Sequence, residues 1–218
     1  MQTLRTPIEI LTAIAAAMLY GLALWRAPWR RWFEGHPDRL NVWGLTLAVS
    51  AILWSLRTDI APGMPLQLLL VTTFTLMHGW ALALIANGII IAAGALLQAH
   101  GRWAGLPLVF LCDVALPAAF IELLHRQLSR RLPKNYLTYF FLTVFLGTLL
   151  AFQLSGVARL ALLAAGGELP VRMLGEYAIL LVMLGFANAT INGMAMSAAV
   201  IYRPEWVVSF DPKLYFKR

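Results

Sequence analysis

Apolar stretches of this chain carry a few polar side chains that could bind a ligand. The sharpest candidate is Asp113, which lies in the middle of "LVFLCDVALP". A carboxylate in such surroundings must pair with a cation, take up a proton or face water. Arg159, in a later apolar stretch, is a candidate partner. The sequence therefore predicts that Asp113 belongs to a functional site.

Gln67 and His78 interrupt a second apolar stretch, "GMPLQLLLVTTFTLMHGW". The two residues are eleven positions apart. On a straight helix this separation is about 16 Å, which is too far for both to contact one small ligand. Gln67 can donate and accept hydrogen bonds, and it is a candidate for lining an outer vestibule. For His78 we expect a bond at the end of a broken helix rather than a metal ion.

Two amides lie in a third apolar stretch, "FANATINGMAMS". Asn188 and Asn192 are four residues apart and therefore share one face of a helix. Such amides hydrogen-bond across helices that pack through small residues, and contact with a ligand is the alternative. Asn87 and Gly88 allow the same two interpretations.

Enzyme chemistry has little support in the sequence. There is no HExxH motif, no glycine-rich phosphate loop and no pair of neighbouring histidines, because His36, His78, His100 and His125 are widely spaced. Cys112 is the single cysteine, so neither an internal disulfide nor a CxxC metal site can form. We predict that the chain is not an enzyme.

The elements that position these residues are membrane helices. Hydrophobic residues make up 61% of the chain and charged residues only 12%, which is typical of integral membrane proteins. Twelve of the 17 Lys and Arg residues lie in segments 26–39, 125–134 and 202–218. Basic segments of this kind mark the cytoplasmic side, so the charge predicts orientation and not nucleic-acid binding.

The sequence predicts an all-α, polytopic membrane protein of about seven helices. They form one transmembrane domain over residues 1–218, with the N-terminus outside and the C-terminus inside. If the basic segments all lie on the cytoplasmic side, an odd number of helices must lie between residues 66 and 124. The run 66–98 therefore has to break into two helices, near His78 and Gly79. The predicted helices are 8–25, 40–56, 66–78, 80–98, 104–124, 136–165 and 173–202, followed by a cytoplasmic tail at 203–218.

The ending "INGMAMSAAVIYRPEWVVSFDPKLYF" and the segment "PLQLLLVTTFTLMHGWALALIANGIIIAAGALLQAHG" resemble the CbiM/NikM-type permeases, in a divergent proteobacterial subgroup. These are the substrate-capture subunits of energy-coupling-factor transporters for cobalt and nickel. The resemblance implies metal ligands at the N-terminus, at a histidine in position two and at a histidine that opens the third helix. This chain has Gln2 and Gln67 there, and Asp113 where many relatives keep Asn. Amides are poor ligands for Ni²⁺ or Co²⁺.

The resemblance implies capture of a small solute at the bacterial inner membrane, with Co or Ni as one candidate substrate. The candidate solute-site residues are Gln2, Gln67, Asp113, Asn188 and Asn192. The expected partners are the lipid bilayer, a transmembrane coupling subunit and ATPase subunits. The alternative is an accessory or structural subunit of a larger membrane complex, with the tryptophan-rich first loop and the aromatic tail as contact surfaces.

Overall fold

The computed structural model describes residues 7–29, 38–56, 58–61, 64–97, 105–133, 135–165 and 171–215. These residues are mostly helical, as predicted. Short 3₁₀ turns at Val171–Met173 and Pro204–Trp206 flank the last long helix. The elements are α1 (Pro7–Arg26), α2 (Asp38–Ser55), β1 (Thr58–Ala61), β2 (Met64–Leu66), α3 (Val71–His78), α4 (Trp80–Leu97), α5 (Leu106–Arg131), α6 (Tyr136–Ala165), α7 (Leu174–Tyr202) and α8 (Pro212–Tyr215).

Four helices in the described part of the chain are long and apolar enough to cross a membrane, namely α1, α5, α6 and α7. Helix α4 is apolar but shorter. The eight residues of α3 span only about 12 Å, less than half of a bilayer core. Seven crossings and the orientation of the termini stay predictions.

A short hairpin replaces part of the predicted outer loop and the start of the predicted third helix. Strands β1 and β2 pair antiparallel, with Thr58 opposite Leu66. The predicted helix 66–78 is therefore wrong at its beginning, because α3 starts only at Val71. Between Leu66 and Val71 the backbone is not helical. The N–H and the carbonyl of Leu69 bond to side chains of α7, as described below.

Helices α3 and α4 are separated by one residue, Gly79, which has a φ of 86°. This value lies in a region that glycine adopts without steric cost. The N–H of Gly79 donates to the carbonyl of Thr75 and closes the last turn of α3. The backbone therefore turns at the position where the sequence predicts a break.

Helix α5 is longer than predicted and contains an irregular turn. The predicted helix 104–124 stops too early, and most of the basic segment 125–134 is the end of α5 and not a loop. Basic residues such as Arg130 and Arg131 suit the negative end of the helix dipole, and Pro133 follows the helix end. Residues Leu111–Ala115 form a π-helical turn, a feature that is frequent at functional sites.

Among the described residues, the two largest clusters of apolar side chains hold most of the helices together. One joins α1, α2, α4 and the first half of α5, and the other joins α3, α5, α6 and α7 to the tail. The tail folds back on the bundle. The N–H groups of Val208 and Ser209 donate to the last carbonyls of α3, at 3.1 Å each. Burial of Tyr215 against this surface raises the pKa of its phenol.

Candidate functional site

A buried polar cluster surrounds Asp113 in the π-helical turn of α5. Arg159 of α6 donates from Nη2 to Oδ2 of the carboxylate. Gln67 donates from Nε2 to the same oxygen over 2.5 Å. Ser155 of α6 donates to Oδ1 over 2.9 Å. Three side chains from two other segments thus converge on one carboxylate.

The charges of this cluster balance inside the protein. Asp113 is 4% exposed and Arg159 is 1% exposed, so water screens neither group. A buried charge that lacks a partner is strongly unfavourable, whereas a paired and hydrogen-bonded one is tolerated. The pair Asp113–Arg159, which the sequence offers as a candidate, is present in the structure. Among the described residues, the cluster carries one negative and one positive charge, which cancel.

One acceptor in the cluster has no partner among the described residues. It is Oε1 of Gln67, which is buried. Because the amide group of Gln67 directs its NH₂ toward Asp113, its oxygen points to another side of the site. A buried acceptor without a donor is unfavourable, and it is a natural contact for a bound water or solute.

The non-helical segment Gln67–Leu70 lies beside this cluster and is held by two amides of α7. Asn188 Oδ1 accepts from the N–H of Leu69 over 3.0 Å. Asn192 Nδ2 donates to the carbonyl of Leu69 over 2.7 Å. Non-helical backbone at membrane depth is tolerated only where the protein satisfies its polar groups. Asn188 and Asn192 perform this role.

Asn192 also fixes the first turn of α3. Its Oδ1 accepts from the N–H of Thr73 over 3.1 Å and from the hydroxyl of Thr73 over 2.8 Å. The start of α3 lacks a capping side chain of its own, so Asn192 satisfies a donor that a helix start leaves free. The two asparagines therefore bind backbone, and the structure shows the interhelical role that the sequence offered as one alternative.

The cluster leaves little empty space. Two small cavities adjoin the cluster, one beside Gln67 and Arg159 and one beside Asn188, and each has a volume of about 10 Å³. A cavity of this size holds at most one water molecule. A larger, apolar crevice of about 650 Å³ lies between α1, α4 and α5. Its lining of alanine and other apolar side chains offers few groups that could select a polar solute.

The other residues that the sequence singles out lie away from the cluster. His78 is at the opposite end of α3, where its Nε2 lies 3.4 Å from the hydroxyl of Thr46. Asn87 donates to the carbonyl of Ala83 in its own helix. Gln2 lies outside the described residues. The structure thus brings together Gln67 and Asp113, with Asn188 and Asn192 in the adjoining layer.

Sequence reasoning missed Ser155 and Thr73. Ser155 is four residues before Arg159 in α6, so the two share one face of that helix. This spacing could have indicated a second hydrogen-bond donor for Asp113. Thr73 gives no comparable signal, because its contact depends on a residue 119 positions away.

The described residues contain no group of three or more His, Cys, Asp or Glu side chains that could hold a metal ion. The cluster instead offers carboxylate, amide and hydroxyl oxygens, together with a guanidinium. Buried polar side chains at a broken helix, inside a bundle of apolar helices, are typical of membrane proteins that handle solutes. The fold and the cluster therefore define a multi-pass membrane protein with an internal polar site.

The family is shown by comparison with known sequences. The family CbiM, described as the cobalt uptake substrate-specific transmembrane region, matches residues 2–206. The chain belongs to this family, whose members are the substrate-specific membrane components of cobalt uptake transporters. The resemblance found in the sequence is thereby confirmed at the level of the family, and a transport role is supported. This is not an enzyme family.

No curated protein and no solved structure matches the chain.

Proposed function

We propose that this chain is the substrate-capture subunit of an energy-coupling-factor type transporter in a bacterial inner membrane. It takes up a small solute from the outer side. Partner subunits, a transmembrane coupling protein and ATPases, supply the energy. The observation that carries the proposal is the buried cluster of Gln67, Asp113, Ser155 and Arg159 beside a non-helical segment, in a chain of the CbiM family.

The cluster has features that suit solute capture. Side chains from α5, α6 and the segment before α3 meet there, so a change in the position of any one element alters the site. The unpartnered Oε1 of Gln67 is an acceptor for a donor that enters with the solute. The altered ligand set leaves the identity of the solute open. A transition-metal ion bound in a new way is one candidate to test.

Deletion and complementation in the source bacterium test the transport role. A strain without the chain is complemented with the native protein, with Asp113→Asn, or with Glu205→Gln as a matched control. Glu205 is an exposed carboxylate near Arg203, at 3.4 Å. The elemental and small-solute contents of the cells are then compared. We expect the cells with native protein or Glu205→Gln to recover the normal content of at least one solute, and the cells with Asp113→Asn to remain depleted of it.

Gentle solubilisation of native membranes tests the partners. A tagged native chain should retain an ATPase and a membrane coupling protein in fixed stoichiometry. Recovery of a different fixed complex without an ATPase, together with unchanged solute contents in the deletion strain, would contradict the proposal. That result would favour an accessory subunit of a larger assembly instead.

A further inference from the structure

Arg159 occupies the position that a bound cation would take beside Asp113. Its guanidinium donates to Oδ2 of the carboxylate, and Arg159 is 1% exposed. The remaining donors of the cluster are neutral. Asp113 therefore already has a full positive charge as its partner, and this charge is covalently part of the protein.

The oxygen atoms around the guanidinium resemble a ligand set for a divalent ion. The carboxylate of Asp113 and the hydroxyl of Ser155 are hydrogen-bonded to each other, and the side-chain amide of Gln67 contacts the carboxylate through its NH₂ group. Carboxylate, carbonyl and hydroxyl oxygens suit hard cations such as Mn²⁺ and Mg²⁺. An ion at this place would meet the guanidinium, and the adjoining cavities of about 10 Å³ leave no room for both.

We propose that Arg159 is a specificity-determining residue, whose guanidinium acts as a tethered cation that neutralises Asp113 and excludes divalent metal ions from the Gln67–Asp113–Ser155 oxygen cluster. This inference rests on the proposed function, because it concerns which solutes the capture site accepts. It makes bare divalent ions poor cargo for the native chain. Removal of the guanidinium turns the same oxygens into a metal site.

Metal binding by purified protein in detergent tests the inference. Native protein, Arg159→Lys and Arg159→Met are dialysed against Mn²⁺, Co²⁺ or Ni²⁺, and the bound metal per chain is measured by mass spectrometry. Methionine keeps an apolar stem and removes the planar charged head, whereas lysine keeps the charge. We expect about one Mn²⁺ or Co²⁺ per Arg159→Met chain, and less than a tenth of that in the other two proteins.

A thermal shift gives a second readout that a merely structural role would not produce. If the ion takes the place of the guanidinium, Mn²⁺ should raise the melting temperature of Arg159→Met and leave that of native protein and Arg159→Lys unchanged, because a ligand stabilises the state that binds it. Stoichiometric metal in the native protein would overturn the inference. A folded Arg159→Met protein that neither binds nor responds to metal would also overturn it.

A second pair of variants serves if Arg159→Met does not fold. Gln67→His, Arg159→Met keeps the carboxylate of Asp113 and places an imidazole beside it, whereas Gln67→His, Arg159→Lys keeps a fixed positive charge there as well. We expect the first double variant to bind Co²⁺ or Ni²⁺ at least tenfold more tightly than the second. Equal affinities would show that a tethered cation does not exclude the metal.

The two proposals fail in different experiments. Tight metal binding by the native chain would refute the role of Arg159 and leave transport and its partners standing. Absence of an ATPase partner and of any change in cellular solutes would refute the transport role, whatever the metal measurements show.

Discussion

The buried pair Asp113–Arg159 gives the most direct test of the site's energetics. Arg159→Met removes the cation and leaves a carboxylate that is 4% exposed. Loss of one partner of a buried pair costs about 3–5 kcal/mol, since the remaining charge is neither solvated nor paired. Gln67 and Ser155 still donate to Asp113, which places our expectation near the lower end, at about 3 kcal/mol.

The double variant Asp113→Asn, Arg159→Met removes both charges. Its free energy of unfolding should lie within about 1 kcal/mol of the native value, because replacement of a whole buried pair is often neutral. The free energy of unfolding is measured in mixed micelles of a mild detergent and dodecyl sulfate, with the fluorescence of the eight tryptophans as the signal. Arg126→Met is the control. Its pair with Glu122 is a surface pair, with Arg126 58% exposed, and its loss should cost less than about 0.5 kcal/mol.

The reasoning would be refuted if the free energies of unfolding of both Arg159→Met and the double variant lay within about 1 kcal/mol of the native value. The carboxylate would then not depend on the guanidinium. A double variant as unstable as Arg159→Met would instead show that the loss arises from packing of the arginine stem and not from charge.

Three further substitutions test the packing around the site, by unfolding in the same micelles. Asn192→Ala should lower the free energy of unfolding by about 2–4 kcal/mol, because it leaves buried backbone groups without partners. Thr190→Ala, at an exposed position, should lower it by less than about 0.5 kcal/mol. Equal losses would contradict the bridging role of Asn192. Gly156→Ala places a Cβ 2.4 Å from the side chain of Leu181 in α7 and should lower the free energy of unfolding by about 1–3 kcal/mol. Gly175→Ala meets nothing within 4 Å and should be neutral or stabilising. A neutral Gly156→Ala would show that the side chain of Leu181 moves aside without loss of packing. Phe210→Ala should cost about 3–5 kcal/mol, because this tail side chain is buried; an unchanged stability would mean that the tail does not support the bundle.

The long apolar helices were predictable because their signal is local. The bounds of α1, α4, α6 and α7 lie within one residue of those expected from the sequence. The glycine at position 79 and the parity of the basic segments indicated the break between α3 and α4. The partner of Asp113 could be proposed because few cations lie inside apolar stretches, and Arg159 is one of them.

The local geometry of the site depends on distant residues and could not be predicted. The segment Gln67–Leu70 is apolar apart from its first residue and reads as the start of a helix. It is not helical, and the backbone of Leu69 is bound instead by Asn188 and Asn192, more than 100 positions away. The continuation of α5 to Arg131 was missed for another reason. Charge marks a membrane boundary in a sequence, but a helix can continue beyond that boundary.

The neutral amide of Gln67 leaves the charge balance between Asp113 and Arg159 unchanged. Two unit charges about 4 Å apart interact by about 4 kcal/mol at an effective dielectric constant of about 20. A divalent ion at such a distance from both members of the pair would gain about 8 kcal/mol from the carboxylate and lose about 8 kcal/mol to the guanidinium. The pair therefore offers a divalent ion no net attraction, and neutral Gln67 adds none. Under the proposed transport role, the affinity of this site for a solute therefore comes from hydrogen bonds and shape, and the buried Oε1 of Gln67 is an acceptor available for such a bond.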